Sequence, residues 1–236
     1  MSSQTKTSIP PELHQFLQHK DEEYRHHLNQ LDLFNPHKTK DWDKTQKAKF
    51  AAVFYHTRGH FINFMWYIAN FAEDEAIKAV VMENIHEEIG SGNKFSHEKL
   101  YERFAQECGV NIHEEIIDET HYVSFARAFN QQHLAWLAKH STKAQFAAFS
   151  AYERLDNIDY PFLTSLAESI GISPSGLTFF RVHMFVEHFD STLDKLLPIW
   201  QDSPETLQQA VAFIYDHQHT MWRKFSDYIC LKHYEN

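Results

Sequence analysis

Apolar side chains in this chain return every three or four positions in segment after segment, and no run alternates apolar with polar long enough to form a strand. The residues that break helices are scarce, with 6 glycines and 7 prolines in 236 residues, and most stand between periodic segments. These two facts leave an all-α fold. The punctuation predicts seven to eight helices in a single domain spanning 1–236, with residues 1–9 a flexible lead-in.

Pro10 and Pro11 open the first helix, which is expected to run to about Leu31, and Asn35-Pro36 closes the connection behind it. Asp41 is placed to cap a long second helix carrying Phe54, Phe61, Phe64, Met65 and Ile68. A third segment, Glu73 to Ile89, stops at Gly90-Ser91-Gly92, and Ser96 caps the next, Glu98 to Cys108, before Gly109. Then come Tyr122 to Lys139, a helix begun at Ser141 that carries Phe146, Phe149 and Glu153, and a short one from Pro161 to Ile170. Pro174 precedes Leu177 to Leu197, ended by Pro198, and Ser203-Pro204-Glu205 reads as the N-terminus of a last helix reaching about Leu231. Trp66, Trp136 and Trp222 fall on apolar faces and are expected in the core, while His26, His27, His217, His219 and His233 are expected at the surface.

Composition removes several function classes. A formal charge of −10 with no Lys/Arg cluster argues against nucleic acid or an anionic membrane as partner. The polar N-terminus lacks the apolar core of a signal peptide, and the most apolar stretch, Phe61 to Ala72, is too short to span a bilayer. The 2 cysteines, Cys108 and Cys230, are far apart and form no C-x-x-C pair, which fits a reducing cytoplasmic setting. Phosphate loops, nucleophile elbows and dinucleotide fingerprints are absent from the sequence.

What remains is a set of acids and imidazoles on faces that otherwise read as core. His183, Glu187 and Asp190 share one helical face, continued by Asp194 and begun by Phe179 and Phe180. Glu153 follows Phe146 and Phe149 at helical spacing. His97 heads an apolar stripe through Tyr101 and Phe104, ten residues after Glu87. In an unbroken helix that separation is about 15 Å, so the intervening glycines must fold the chain back for the two to share an ion. Taken singly, the Glu87-Glu88 pair reads as a helix-end surface pair, Glu153 as an ion-pair partner and the late stripe as a solvated face. Taken together they offer four carboxylates and two imidazoles, a mixed donor set that suits iron(II) or manganese(II). Burying such acids without a cation costs on the order of several kcal/mol each. His56 and His60, one turn apart among aromatic residues, are read as pocket-lining.

These residues resemble the haem-oxygenase-like di-iron oxidases, relatives of the chlamydial protein associating with death domains and, more distantly, of the thiaminase and pyrroloquinoline-quinone synthase folds. The resemblance rests on Asn84-Ile85-His86-Glu87-Glu88-Ile89-Gly90-Ser91-Gly92 followed by His97, and on the 30 positions from Glu153 to His183. It implies metal ligands Glu87, His97, Glu153, His183, Glu187 and Asp190, with Glu153 as bridge. It implies two iron ions, with manganese or a single filled site as variants, and dioxygen as co-substrate. It also implies a helical bundle, often a homodimer, that oxidises a small carboxylate- or amine-bearing metabolite. The late motif departs from the family's H-x3-D-x2-H: Glu187 stands for Asp and Asp190 for the final His. A binding scaffold with a degenerate metal site is therefore a second reading, and a thiaminase-like hydrolase using Cys230 a minor third.

Overall fold

The computed structural model describes residues 9–92, 94–185 and 189–231. Its elements are α1 (Pro11–Asn29), a 3-10 turn (Asp32–Phe34), α2 (Pro36–Thr39), α3 (Lys44–Arg58), α4 (His60–Phe71), α5 (Glu75–Ile89), α6 (His97–Glu107), α7 (Ile112–Asp118), α8 (Ser124–Lys139), α9 (Thr142–Ser169), α10 (Thr178–Phe185), α11 (Phe189–Asp202) and α12 (Pro204–Cys230). The all-α expectation holds. The helix number does not: there are twelve among the described residues, where seven to eight were expected.

The differences have local causes. Asp43, not Asp41, caps α3 through a reciprocal box, its carboxylate accepting from the Gln46 amide at 2.8 Å while its own amide donates to the Gln46 side chain at 3.2 Å. The long second helix breaks at Gly59, which separates α3 from α4. Pro161 opens nothing, because it lies inside α9. An interior proline costs about 3 kcal/mol through its missing N–H. Here that cost falls on the most buried helix of the fold, and packing against α12, α10 and α11 outweighs it. Pro198 is likewise carried inside α11. Ser203 makes no side-chain cap to α12.

The core is aromatic. Phe50, Phe54, Phe104, Phe180, Trp222 and Phe225 form one contiguous set of rings, with Phe50 stacked on Phe54 at 5.6 Å and on Phe225 at 5.5 Å. Burying a ring of this size is worth roughly 1.5–3 kcal/mol in apolar area, and offset or edge-on ring pairs add a little more. Trp222 is buried as expected and Trp136 half-buried against Phe213, but Trp66 is 41% exposed. His217, expected outside, is half-buried and sandwiched between Phe129 and Phe213.

Charge is also built into the scaffold. Arg154 donates twice to Asp21, at 3.1 and 2.8 Å, and Tyr215 donates to the same carboxylate at 2.6 Å, which ties α9 and α12 to α1. Among the described residues no helix is long and apolar enough to cross a membrane.

Candidate metal centre

The turn after α5 builds the site. Gly90 takes φ +74°, the left-handed region, and ends α5 with Gly90 N–H on the Glu87 carbonyl and Ser91 N–H on the His86 carbonyl. A Cβ at Gly90 would lie 2.4 Å from the Ser96 nitrogen, so only glycine lets the returning chain pass this close. Ser96 then caps α6, accepting from Lys99 N–H at 3.2 Å. The chain has folded back, and His97, the first residue of α6, stands beside the last turn of α5.

The carboxylate it meets is Glu88. His97 Nδ1 is 3.1 Å from Glu88 Oε1, and His183 Nε2 is 3.9 Å from the same oxygen. All three donor atoms lie within 4.8 Å of one another. Ligands held ~2.1 Å from one ion at tetrahedral or octahedral angles lie about 3.0–3.4 Å apart, so the three need only close slightly to share a cation. His183 is held in the tautomer a ligand requires. Its Nδ1 faces the Phe179 carbonyl at 2.8 Å and donates to it, which leaves the Nε2 lone pair turned inward. His97 Nδ1 is buried with no aligned hydrogen-bond partner. The Glu88 carboxylate, close but off line, is the group it faces.

Arg58, at the end of α3, enters this group. Its Nε donates to the Tyr160 hydroxyl at 2.7 Å, and one terminal nitrogen donates to Glu88 Oε1 at 2.7 Å and to His183 Nε2 at 3.1 Å. Burial alone raises the Glu88 carboxyl, but Arg58 first, with His97 beside it, more than offsets this and holds it well below the usual carboxylate range. Burial pushes the His183 imidazole down to about 4, so it is neutral at ordinary pH.

Glu153 is 2% exposed, as its spacing predicted. Burial first, then repulsion from Asp156, Glu88 and Glu87, drives its carboxyl well up, and Arg58 only partly opposes this. Asp156, one turn on, is likewise pushed up, to about 8, chiefly by burial. Around Arg58, then, the described residues gather four acids against one guanidinium. With one guanidinium among them, Glu153 and Asp156 are driven toward their neutral acids, and a divalent ion is the added positive charge that would let them ionise. The donor set fits iron.

The six sequence candidates divide accordingly. His97 and His183 come together here with Glu88, and Glu153 is buried within electrostatic reach of Glu88 and Arg58. Glu87 is half-buried on α5 and acts electrostatically on Glu153, but the carboxylate among the imidazoles is its neighbour Glu88. Glu187 lies outside the described residues, as do His188, His233 and residues 1–8. Asp190 is exposed at the start of α11, where it lines a separate surface pocket with Asp21, Arg25 and Arg154. Glu88, Arg58, Asp156 and Tyr160 were not in the predicted set.

A cavity of about 290 Å³ opens on Glu88, His97 and Arg58, with walls from Ile62, Ile89, Tyr101 and Phe179. Tyr55 and Glu98, joined by a 2.5 Å hydrogen bond from the tyrosine hydroxyl, also line it. Burial pushes the half-buried Cys230 thiol up to about 11, away from the thiolate that an activated nucleophile needs.

Comparison with known proteins places the chain in a family and a fold. The sequence profile of a family described as an iron-containing redox enzyme matches residues 48–214. No curated protein matches the chain. A structure described as a CADD-like protein of unknown function, from Nostoc punctiforme, superposes with a TM-score of 0.69 at 15% identity, covering 90% of this chain and 95% of that one. A domain of unknown function with a heme oxygenase-like fold, from Shewanella denitrificans, gives 0.70 at 13% identity, covering 94% and 96%.

Proposed function

Since the chain belongs to the iron-containing redox enzyme family and has the haem-oxygenase-like fold, we propose that it is a dioxygen-dependent oxidase or oxygenase of a small carboxylate- or amine-bearing metabolite. The observation that carries this is the meeting of Glu88, His97 and His183 at a cavity of metabolite size. In this proposal those three hold an iron ion. Glu153, with Glu87, supplies the carboxylates for a second, and the sequence adds Glu187 to that half.

Bound iron supplies the electrons and the open coordination position that dioxygen chemistry needs. The protein's own part is positional. The hydrogen bond from His183 Nδ1 to the Phe179 carbonyl fixes the ring so that Nε2 keeps its aim. Ile62, Ile89, Tyr101 and Phe179 give the cavity apolar walls that keep water from the reacting centre. Arg58, Glu88 and Glu98 in its lining give it both signs of charge, which suits a substrate bearing a carboxylate or an amine.

The experiment is to load the protein with iron(II) under anaerobic conditions, count the metal, and admit dioxygen while recording the visible spectrum. Stoichiometric iron and a new oxygen-dependent absorption are expected. Iron well below one ion per chain with no spectral change removes the proposal and leaves a binding scaffold.

A further inference from the structure

Arg58 occupies two of the donor atoms that an ion shared by Glu88, His97 and His183 would use. One of its terminal nitrogens is 2.7 Å from Glu88 Oε1 and 3.1 Å from His183 Nε2, so it takes up the carboxylate oxygen and the imidazole lone pair at once. A cation cannot use those two atoms while this nitrogen keeps them. Arg58 cannot lose its charge to make room, because a guanidinium stays protonated throughout the range in which proteins fold. It has to move.

The surroundings show where. Nε is held by the Tyr160 hydroxyl at 2.7 Å, and Tyr160 lies on α9 one turn beyond Asp156. Arg58, Asp156, Asp159, Tyr152 and Tyr160 together line a small internal cavity of about 10 Å³, room for roughly one water. Arg58 lines both cavities: the 290 Å³ cavity has Glu88 and His97 in its lining and none of these α9 residues, and the small one has Asp156 and neither Glu88 nor His97. Asp156 shares this cavity with Arg58 and already attracts its charge, so a rotation about the Nε–Tyr160 bond that takes the terminal nitrogens off Glu88 and His183 has this carboxyl group to receive them.

We propose that Arg58 is an internal, displaceable cation: it neutralises the centre before metal arrives, and metal binding drives its guanidinium from Glu88 and His183 onto Asp156. The inference rests on the proposed metal site but not on redox chemistry there. Asp156 is in this scheme the residue that receives Arg58, not a metal ligand. Metal affinity is thus reduced by the work of breaking the Arg58–Glu88 pair and restored in part by the new pair. Loading couples the cavity side of α5 to the α9 interior.

Cobalt(II) titration tests this without turnover, because it accepts the same imidazole and carboxylate donors and its visible absorption reports coordination. Four proteins are compared: wild type, Arg58→Met, Asp156→Asn and the double variant. Arg58→Met is expected to bind cobalt at least tenfold more tightly than wild type, and its metal-free form to unfold at lower temperature, because Glu88 is left without its cation. Asp156→Asn is expected to bind at least fivefold more weakly, and to do so only while Arg58 is present, so that the double variant matches Arg58→Met. Arg58→Lys keeps a charge with a shorter reach, so it supplies a folded intermediate if Arg58→Met is unstable. Its affinity is expected between those of wild type and Arg58→Met.

Unchanged cobalt affinity in both Arg58 variants overturns the inference and leaves the metal site standing. An equal loss on Asp156→Asn with and without Arg58 also overturns it, by making Asp156 a ligand. No cobalt bound by any of the proteins removes the metal site itself, and the inference with it.

Discussion

Replacing Gly90 with alanine strikes the turn on which the centre depends. Two costs can be worked from the structure. Alanine at φ +74° pays roughly 1–2 kcal/mol for the left-handed conformation. Its Cβ would also lie 2.4 Å from Ser96 N, 2.7 Å from Phe95 C and 2.8 Å from Lys94 O, all backbone atoms with no rotamer to swing aside. Opening the shortest of these to an ordinary 3.4 Å contact moves the chain by about 1 Å at the residue before His97. The 3.1 Å approach of His97 to Glu88 cannot survive that shift. The expected loss of stability is about 2–4 kcal/mol, the upper part coming from the displaced backbone. A misplacement of ~1 Å can cost as much as 10²-fold in a positioned site, so cobalt affinity is expected to fall tenfold or more. Urea unfolding and cobalt titration measure the two effects separately. A Gly90→Ala protein with wild-type midpoint and wild-type affinity would refute the claim that this turn sets the donor geometry. Gly92→Ala is the control: a Cβ there meets nothing within 4 Å, so only the conformational cost at φ +70° applies.

Acid destabilises the fold through two buried imidazoles. Burial pushes His60 down to about 4 and His133 well below its usual value, so both are neutral when folded. Their depressed pKa values make this stability complete above about pH 6.5 and progressively lost as pH falls toward 4, with His60 alone accounting for about 3 kcal/mol. Urea midpoints from pH 7 to 4 should fall, and fall less in His133→Phe, which places an apolar ring against Phe64; identical slopes would contradict this. Asp21→Ala strands Arg154 and is expected to cost ~3–5 kcal/mol in urea unfolding, a loss under 1 kcal/mol being the adverse result. His183→Ala should remove most bound iron, whereas Asp190→Ala, altering an exposed side chain beside Arg25 and Arg154, should change it little. Equal losses in metal analysis would return Asp190 to the ligand set.

Much of the centre was legible in the sequence because periodicity reports burial. Glu153 sits four and seven residues after Phe149 and Phe146, and it is buried beside the site. The Gly90-Ser91-Gly92 break announced that the chain turns back to deliver His97. Periodicity does not say which of two adjacent residues faces inward. Glu87 and Glu88 differ by about 100° around α5, and the choice belongs to how that helix docks against α4 and α6. Arg58 and Asp156 did leave a signal. Arg58 follows Phe50 and Phe54 at eight and four residues, and Asp156 follows Phe149 at seven, so both continue buried stripes. A cation next to a helix end and an acid amid polar neighbours look solvated until their partners are known. The helix count was too low because short helices and weak breaks leave little signal: α2 and α7 are too short to show a period, and the break between α3 and α4 has only Gly59 to mark it. Pro161 and Pro198 erred the other way, reading as boundaries that tertiary packing overrode.

The account stands on an ion seated by Glu88, His97 and His183. Anaerobic iron(II) titration of wild type beside Glu88→Gln and Glu87→Gln tests this most directly, since the two variants remove the same charge one residue apart. The expected result is that Glu88→Gln abolishes the tightest-bound iron while Glu87→Gln retains it. Retention in Glu88→Gln with loss in Glu87→Gln would contradict the geometry on which the proposed function rests.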